Sequence, residues 1–251
     1  MRTLKIVALL IATAFIINSC ATYSRNETEC NLAQTEDNPA WDAEKLDEAL
    51  KFAFDLGSNN LIVATNGEVV KSMGELDKPL RLHSARKALL SAIVGQHVGT
   101  GPNKINLEST LAELEINDKP IPLTPLQQQA KVLYLIKSTS GINHPAAAEG
   151  GLMERDKDKR LGHKPNPPGT VWAYNNWDYN ALTTIFEQET GLTIYEAFKE
   201  GIAEPLEMQD FNEKSVYYEY ETELSIHPKA GFKMSARDLA KFGQLYLNKG
   251  K

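Results

Sequence analysis

Leu82-His83-Ser84-Ala85-Arg86-Lys87-Ala88-Leu89-Leu90-Ser91-Ala92-Ile93-Val94 is the stretch that decides how this chain folds. It predicts a helix over 85–98, closed by Gly99-Thr100-Gly101-Pro102, with Leu89, Leu90, Ile93 and Val94 as its apolar stripe. Ser84 stands at the start of that helix and Lys87 three residues on, so hydroxyl and amine share one face, a turn apart. There the amine can polarise the hydroxyl or take its proton. The helix N-terminus adds unpaired N–H groups and the positive end of a dipole, which favour negative charge developing at Ser84. Ser84 also reads as a simple N-cap, and Lys87 as a solvated helix cation.

Far along the chain, Tyr174-Asn175-Asn176 offers a phenol as a second acid or base, and an amide. Tyr174 reads as a proton relay or as a packed aromatic. Asn176 reads as a holder of Lys87, a ligand for a substrate carbonyl or amide, or a helix cap. His83 touches Ser84 in sequence, but neighbours in a helix do not face each other, so it reads as a wall residue. His144, in Asn143-His144-Pro145, reads as a loop residue at a pocket rim. Trp172, Trp177 and Tyr179 read as core aromatics, with room for one of them to line a pocket.

Upstream, Trp41 to Leu56 carries apolar residues at helical spacing and stops at Gly57. Leu61–Thr65 and Glu68–Ser72, joined by Asn66-Gly67, predict a β-hairpin with a two-residue turn. Helix, then hairpin, then helix is the signature of an α+β architecture, an antiparallel sheet flanked by helices.

The bulk numbers bound the function classes. Hydrophobic content of 42% and charged content of 24% fit a folded globule, and a net charge of −6 leaves no basic footprint for nucleic acid. No repeat, no His-Glu-x-x-His, no phosphate-cradling Gly-rich motif and no Gly-x-Ser-x-Gly are present, so neither a metal nor a cofactor is expected. The chain opens with Arg2 and Lys5 before an apolar run, Ile6 to Ile17, too short to span about 30 Å of hydrocarbon. This is the pattern of an export signal over residues 1–19.

Several blocks, in order, resemble the serine β-lactamase-related hydrolases, which include class C β-lactamases and penicillin-binding proteins. They are Ser84-Ala85-Arg86-Lys87, then Leu107 to Leu114 with Thr124, then the segment ending in Ser138-Thr139-Ser140-Gly141. Pro168-Gly169 with Trp172-Ala173-Tyr174-Asn175-Asn176 follows, then Pro205-Leu206-Glu207-Met208-Gln209-Asp210. The last is Ser235 to Gln244, read as a helix opened by a capping box from Ser235 to Asp238. The wording of Gly141 to Ala147 and of Tyr174 to Trp177 is nearest to the esterase and 6-aminohexanoate-dimer-hydrolase-like branch.

The resemblance implies a β-lactamase/transpeptidase-like fold over 38–251, with a mostly helical lobe beside the sheet. It also implies a serine hydrolase of esters or amides, β-lactams among them, with Ser84 as nucleophile, Lys87 as base, Tyr174 as relay and Asn176 in substrate binding. A non-catalytic penicillin-binding or scaffolding lipoprotein is the alternative. Ile17-Asn18-Ser19-Cys20 resembles the bacterial lipobox, implying lipid on Cys20, a tether over 20–37 and a periplasm-facing envelope protein, with Ala21 favouring the outer membrane. An ordinary cleaved signal is the other reading. With Cys20 lipidated, Cys30 has no intrachain disulfide partner.

The family's third motif and its second oxyanion donor would lie beyond Lys251. Without the strands that carry them, the hairpin is expected to keep an uncovered face and the Leu89, Leu90, Ile93 stripe to stay wet. The 251 residues alone are then expected to be poorly folded and inactive.

Overall fold

The computed structural model describes residues 33–34, 40–162 and 164–251. The export signal, Cys20 and Cys30 lie outside the described residues. Of the stretch read as a tether, Ala33–Gln34 form a two-residue strand, β1.

Helix α1 spans Ala43–Asp55 because Asp42 caps it, accepting from the Lys45 N–H at 3.1 Å, and Gly57 ends it at φ 82°. Strands β2 (Leu61–Thr65) and β3 (Glu68–Met73) form the expected hairpin. Asn66 and Gly67 both take positive φ, 52° and 82°, the backbone that a two-residue turn between twisted strands requires. β1 pairs in parallel with β3, giving a first sheet of order β1-β3-β2. α1 packs on β3 and the late helix described below packs on β2.

A short strand β4 (Leu80–Arg81) leads into a single 3-10 turn, His83–Ala85, and then helix α2, Arg86–His97. The helical lobe follows, with α3 (Val132–Ile136), α4 (Gly151–Leu161), α5 (Trp177–Thr190) and α6 (Ile194–Phe198). Strands β5 (Val216–Glu219) and β6 (Lys229–Met234) then pair with β4 in a second antiparallel sheet of order β4-β6-β5. Tyr217 stands opposite Gly231, where a Cβ would meet the tyrosine ring at 2.4 Å, so only glycine lets that ring lie across β6. Helix α7, Ala236–Leu247, closes the chain.

Three sequence expectations change here. The stripe on α2 is dry: Leu89, Leu90, Ile93 and Val94 are at most 2% exposed, packed with α5, α6 and β6. Each such side chain contributes roughly 1.5–3 kcal/mol of burial. None of the exposed large apolar side chains is on α2; they include Phe52 and Phe54 on α1, Leu152 on α4, and Tyr246 and Leu247 on α7.

Only half of the capping box at α7 forms. Ser235 Oγ accepts from the Asp238 N–H, but the Asp238 carboxylate turns to the backbone N–H groups of Gln209 and Asp210, both at 2.9 Å. The carboxylate ties α7 to the Pro205–Asp210 loop instead of back to its own N-cap.

His144 is buried, not at a rim. Its ring stands edge-on to Trp177, 5.8 Å between centroids, with Nδ1 3.4 Å from Asp118 Oδ2. Asp118 also accepts from Trp177 Nε1 (2.6 Å), Ser225 Oγ (2.9 Å) and the Ile226 and Lys119 N–H groups (3.0 and 2.7 Å). Burial pushes its carboxyl up, but these donors outweigh that and hold it at about 2. His144 is drawn inward because it supplies one more donor to a buried carboxylate that needs them.

Candidate active site

The helical turn that carries Ser84 is oriented by the residue before it. His83 takes φ 44°, in the left-handed region, and is itself exposed. Ser84 is exposed too, and among the described residues its Oγ has no hydrogen-bond partner. It is not an N-cap: Ala85 holds that position of α2, which has no side-chain cap. A serine that neither packs nor caps leaves its hydroxyl open to a ligand.

Lys87, in the first turn of α2, is the opposite. It is 6% exposed. Its Nζ donates to Asn176 Oδ1 at 2.7 Å and to Tyr174 Oη at 2.9 Å, and lies 4.3 Å from the centre of the Tyr174 ring. Burial lowers its pKa to about 7, helped by the neighbouring cations of Arg86 and Lys229 and opposed by Glu149 and Asp178. The fold thus brings Lys87, Tyr174 and Asn176 together, with Ser84 one turn away from Lys87 on an open surface.

Asn176 occupies the N-cap position of α5 yet does not cap it with its side chain. Asn175 does that work, its Oδ1 accepting from the Asp178 N–H at 2.8 Å. This frees Asn176 to reach Lys87 with Oδ1 and the Ala148 carbonyl with Nδ2, at 2.7 Å. Tyr174 is positioned through the backbone, since the Ala173 N–H bonds to the Ser138 carbonyl at 2.9 Å and the Gly169 N–H to the Thr139 carbonyl at 2.7 Å. The Ser-Thr-Ser-Gly and Pro-Gly blocks therefore work as a frame for the tyrosine.

Around this core stand residues that the sequence did not single out. Arg86, 1% exposed, donates to Asn180 Oδ1 at 2.9 Å and ties α2 to α5. Asp178 accepts from Ser140 Oγ at 2.5 Å, its other oxygen has no partner among the described residues, and burial raises its pKa to about 7. Glu149 accepts from the Asn176 N–H at 2.9 Å and pairs with Lys157 at 2.5 Å. Asp178 stands two residues after Asn176 of the Tyr-x-Asn element, so proximity could have flagged it. Lys157 sits in Glu154-Arg155-Asp156-Lys157-Asp158-Lys159-Arg160, where nothing distinguishes it from solvated charges. Trp177 is fully buried, Trp172 is half exposed, and the Tyr179 ring centre lies 5.2 Å from Lys87 Nζ, its hydroxyl donating to the Ile136 carbonyl. Among the described residues no group of three or more His, Cys, Asp or Glu is placed to hold a metal ion.

The family model for beta-lactamase matches residues 58–251. This chain belongs to the beta-lactamase family. Its fold, α+β with helices against small antiparallel sheets, is the β-lactamase/transpeptidase-like one. A Bacillus anthracis protein assigned as a 6-aminohexanoate-dimer hydrolase matches at TM-score 0.57 and 23% identity, over 80% of this chain and 57% of its own. The octameric penicillin-binding protein homologue from Pyrococcus abyssi matches at 0.56 and 20%, over 84% of this chain and 57% of its own. A class C beta-lactamase matches at 0.53 and 14%, over 82% of this chain and 64% of its own. No curated protein matches. At these identities the likeness of this beta-lactamase-family chain to the solved structures is one of fold, and it spans somewhat over half of their length.

Proposed function

We propose that this protein is a serine hydrolase that cleaves an ester or amide bond, β-lactams included, through an acyl-enzyme on Ser84. The observation that carries the reading is the Lys87 amine, buried, lowered to about 7 and bonded to both Tyr174 and Asn176. As Ser84 Oγ adds to the carbonyl carbon, the neutral amine of Lys87 takes the hydroxyl proton. Negative charge on the former carbonyl oxygen falls at the N-terminal end of α2, where the Ser84 N–H is one donor. The carbon–oxygen or carbon–nitrogen bond then breaks, and Tyr174 returns a proton to the leaving group. Water releases the acyl group by the same route in reverse. Asn176 fixes the amine between the two steps.

The sign of the pH dependence follows. Lys87 works as a base only when neutral, so kcat/KM should rise as pH climbs through about 7. Asp178 titrates in the same range, so the profile is taken in the parent and in Asp178→Asn. An ascending limb near 7 in both supports Lys87; a limb that vanishes in Asp178→Asn, or lies near the free lysine value, contradicts the assignment. Stoichiometric labelling of Ser84 without turnover would instead mark a penicillin-binding or scaffolding relative.

Anchoring belongs to the same proposal. The leader that ends in Ile17-Asn18-Ser19-Cys20 supports a lipid on Cys20 and a periplasm-facing envelope protein, favouring the outer membrane. The full-length product should partition into detergent and lose that behaviour in Cys20→Ser. A water-soluble parent with a free Cys20 thiol would overturn it.

A further inference from the structure

We propose that Glu149 and Lys157 are the positioning pair of the site, Glu149 fixing Asn176 and Lys157 cancelling the charge that Glu149 places beside Lys87. The inference rests on the reading of Lys87 as the base. Glu149 uses both carboxylate oxygens: Oε1 accepts from the Asn176 N–H at 2.9 Å and Oε2 from Lys157 Nζ at 2.5 Å. Lys157 reaches in from the middle of α4 and also donates to the His144 carbonyl at 2.8 Å. Their side chains are 3% and 2% exposed.

A buried ion pair stabilises a fold little more than apolar packing of the same volume, and often less. What this one does locally is hold a segment. Asn176 donates its backbone N–H to Glu149 and its Nδ2 to the adjoining Ala148 carbonyl, so residues 148 and 149 grip it at two points. Its remaining side-chain polar atom, Oδ1, is then aimed at Lys87.

The charge balance around Lys87 is the second part. The charged and titratable groups that act on the amine are Arg86 on its own helix, Asp178 on α5, Lys229 on β6, and Glu149, with the rings of Tyr174 before α5 and Tyr179 on α5 beside it. Glu149 is the foremost group favouring the ammonium form. Lys157, 2.5 Å from the Glu149 carboxylate, is the cation placed to offset it, so the two charges are expected to act on Lys87 with opposite sign.

The test follows the Lys87 Cε resonance against pH in full-length protein with isotope-labelled lysine, the signal being identified by its loss in Lys87→Met. This needs no substrate. Glu149→Gln removes the anion and leaves Lys157 uncompensated, so the midpoint should fall by about one pH unit. Lys157→Met leaves the anion uncompensated, so the midpoint should rise by a similar amount. A purely structural pair would not move it in opposite directions, and unmoved or equal displacements overturn the charge part. Glu149→Asp keeps both charges but shortens the reach to Asn176. It should hold the midpoint and lower kcat for a small activated ester by about ten- to a hundredfold at unchanged KM. Unchanged kcat overturns the positioning part, and this variant decides alone if either charge variant does not melt cooperatively. If the parent turns over no ester, the hydrolase reading fails while the opposite midpoint shifts still uphold or overturn the pair.

Discussion

Lys87→Ala is expected to lower kcat/KM for a small activated ester by about 10⁴–10⁶, Tyr174→Phe by about 10²–10⁴, and the double variant no further than Lys87→Ala alone. The two groups share one hydrogen bond of 2.9 Å, which in the proposed mechanism makes each the other's proton partner. Once the amine is gone, the phenol has nothing to relay, and removing its hydroxyl takes away little more. Losses that multiply would show that the two act independently. A Tyr174→Phe variant at the parent rate would remove the phenol from the chemistry.

Ser84→Ala should have the largest effect on turnover, about 10⁶, with almost none on stability. The separation follows from where Ser84 sits. It is exposed, caps nothing, and has no hydrogen-bond partner among the described residues, so its removal should change stability by no more than about 0.5 kcal/mol. Parent and variant should therefore melt together while only one turns over substrate. A variant that loses stability in step with activity would mean that Ser84 is a structural residue after all.

Much of this was legible in the sequence, for reasons that differ by residue. The hairpin was readable because Asn66-Gly67 is a local instruction, and both residues adopt the positive φ that it calls for. The α2 stripe was readable because its apolar residues share one helical face. Where those residues would be covered was not readable, because the covering comes from α5, α6 and β6, distant in sequence. The expected wet stripe failed on that point.

Within the site, Lys87, Tyr174 and Asn176 could be paired from their motifs, whereas Glu149 and Lys157 could not. A glutamate between Ala148 and Gly150 and a lysine in a run of charges carry no periodic signal, and only the tertiary fold buries them against each other. His144 misled for a related reason. A loop histidine before proline looks exposed, and its inward turn depends on Asp118, whose need for donors is invisible along the chain. The Asp238 carboxylate likewise found partners at Gln209 and Asp210 that outcompeted its own helix cap.

If Ser84 carries the acyl group, the site of covalent attachment will show it. Full-length protein is incubated with a fluorophosphonate or a slowly released β-lactam, digested, and the adduct is mapped by mass spectrometry. One equivalent on Ser84, absent in Ser84→Ala and formed more slowly in Lys87→Ala, is the predicted result. An adduct on another serine, or no adduct in the parent, would contradict it.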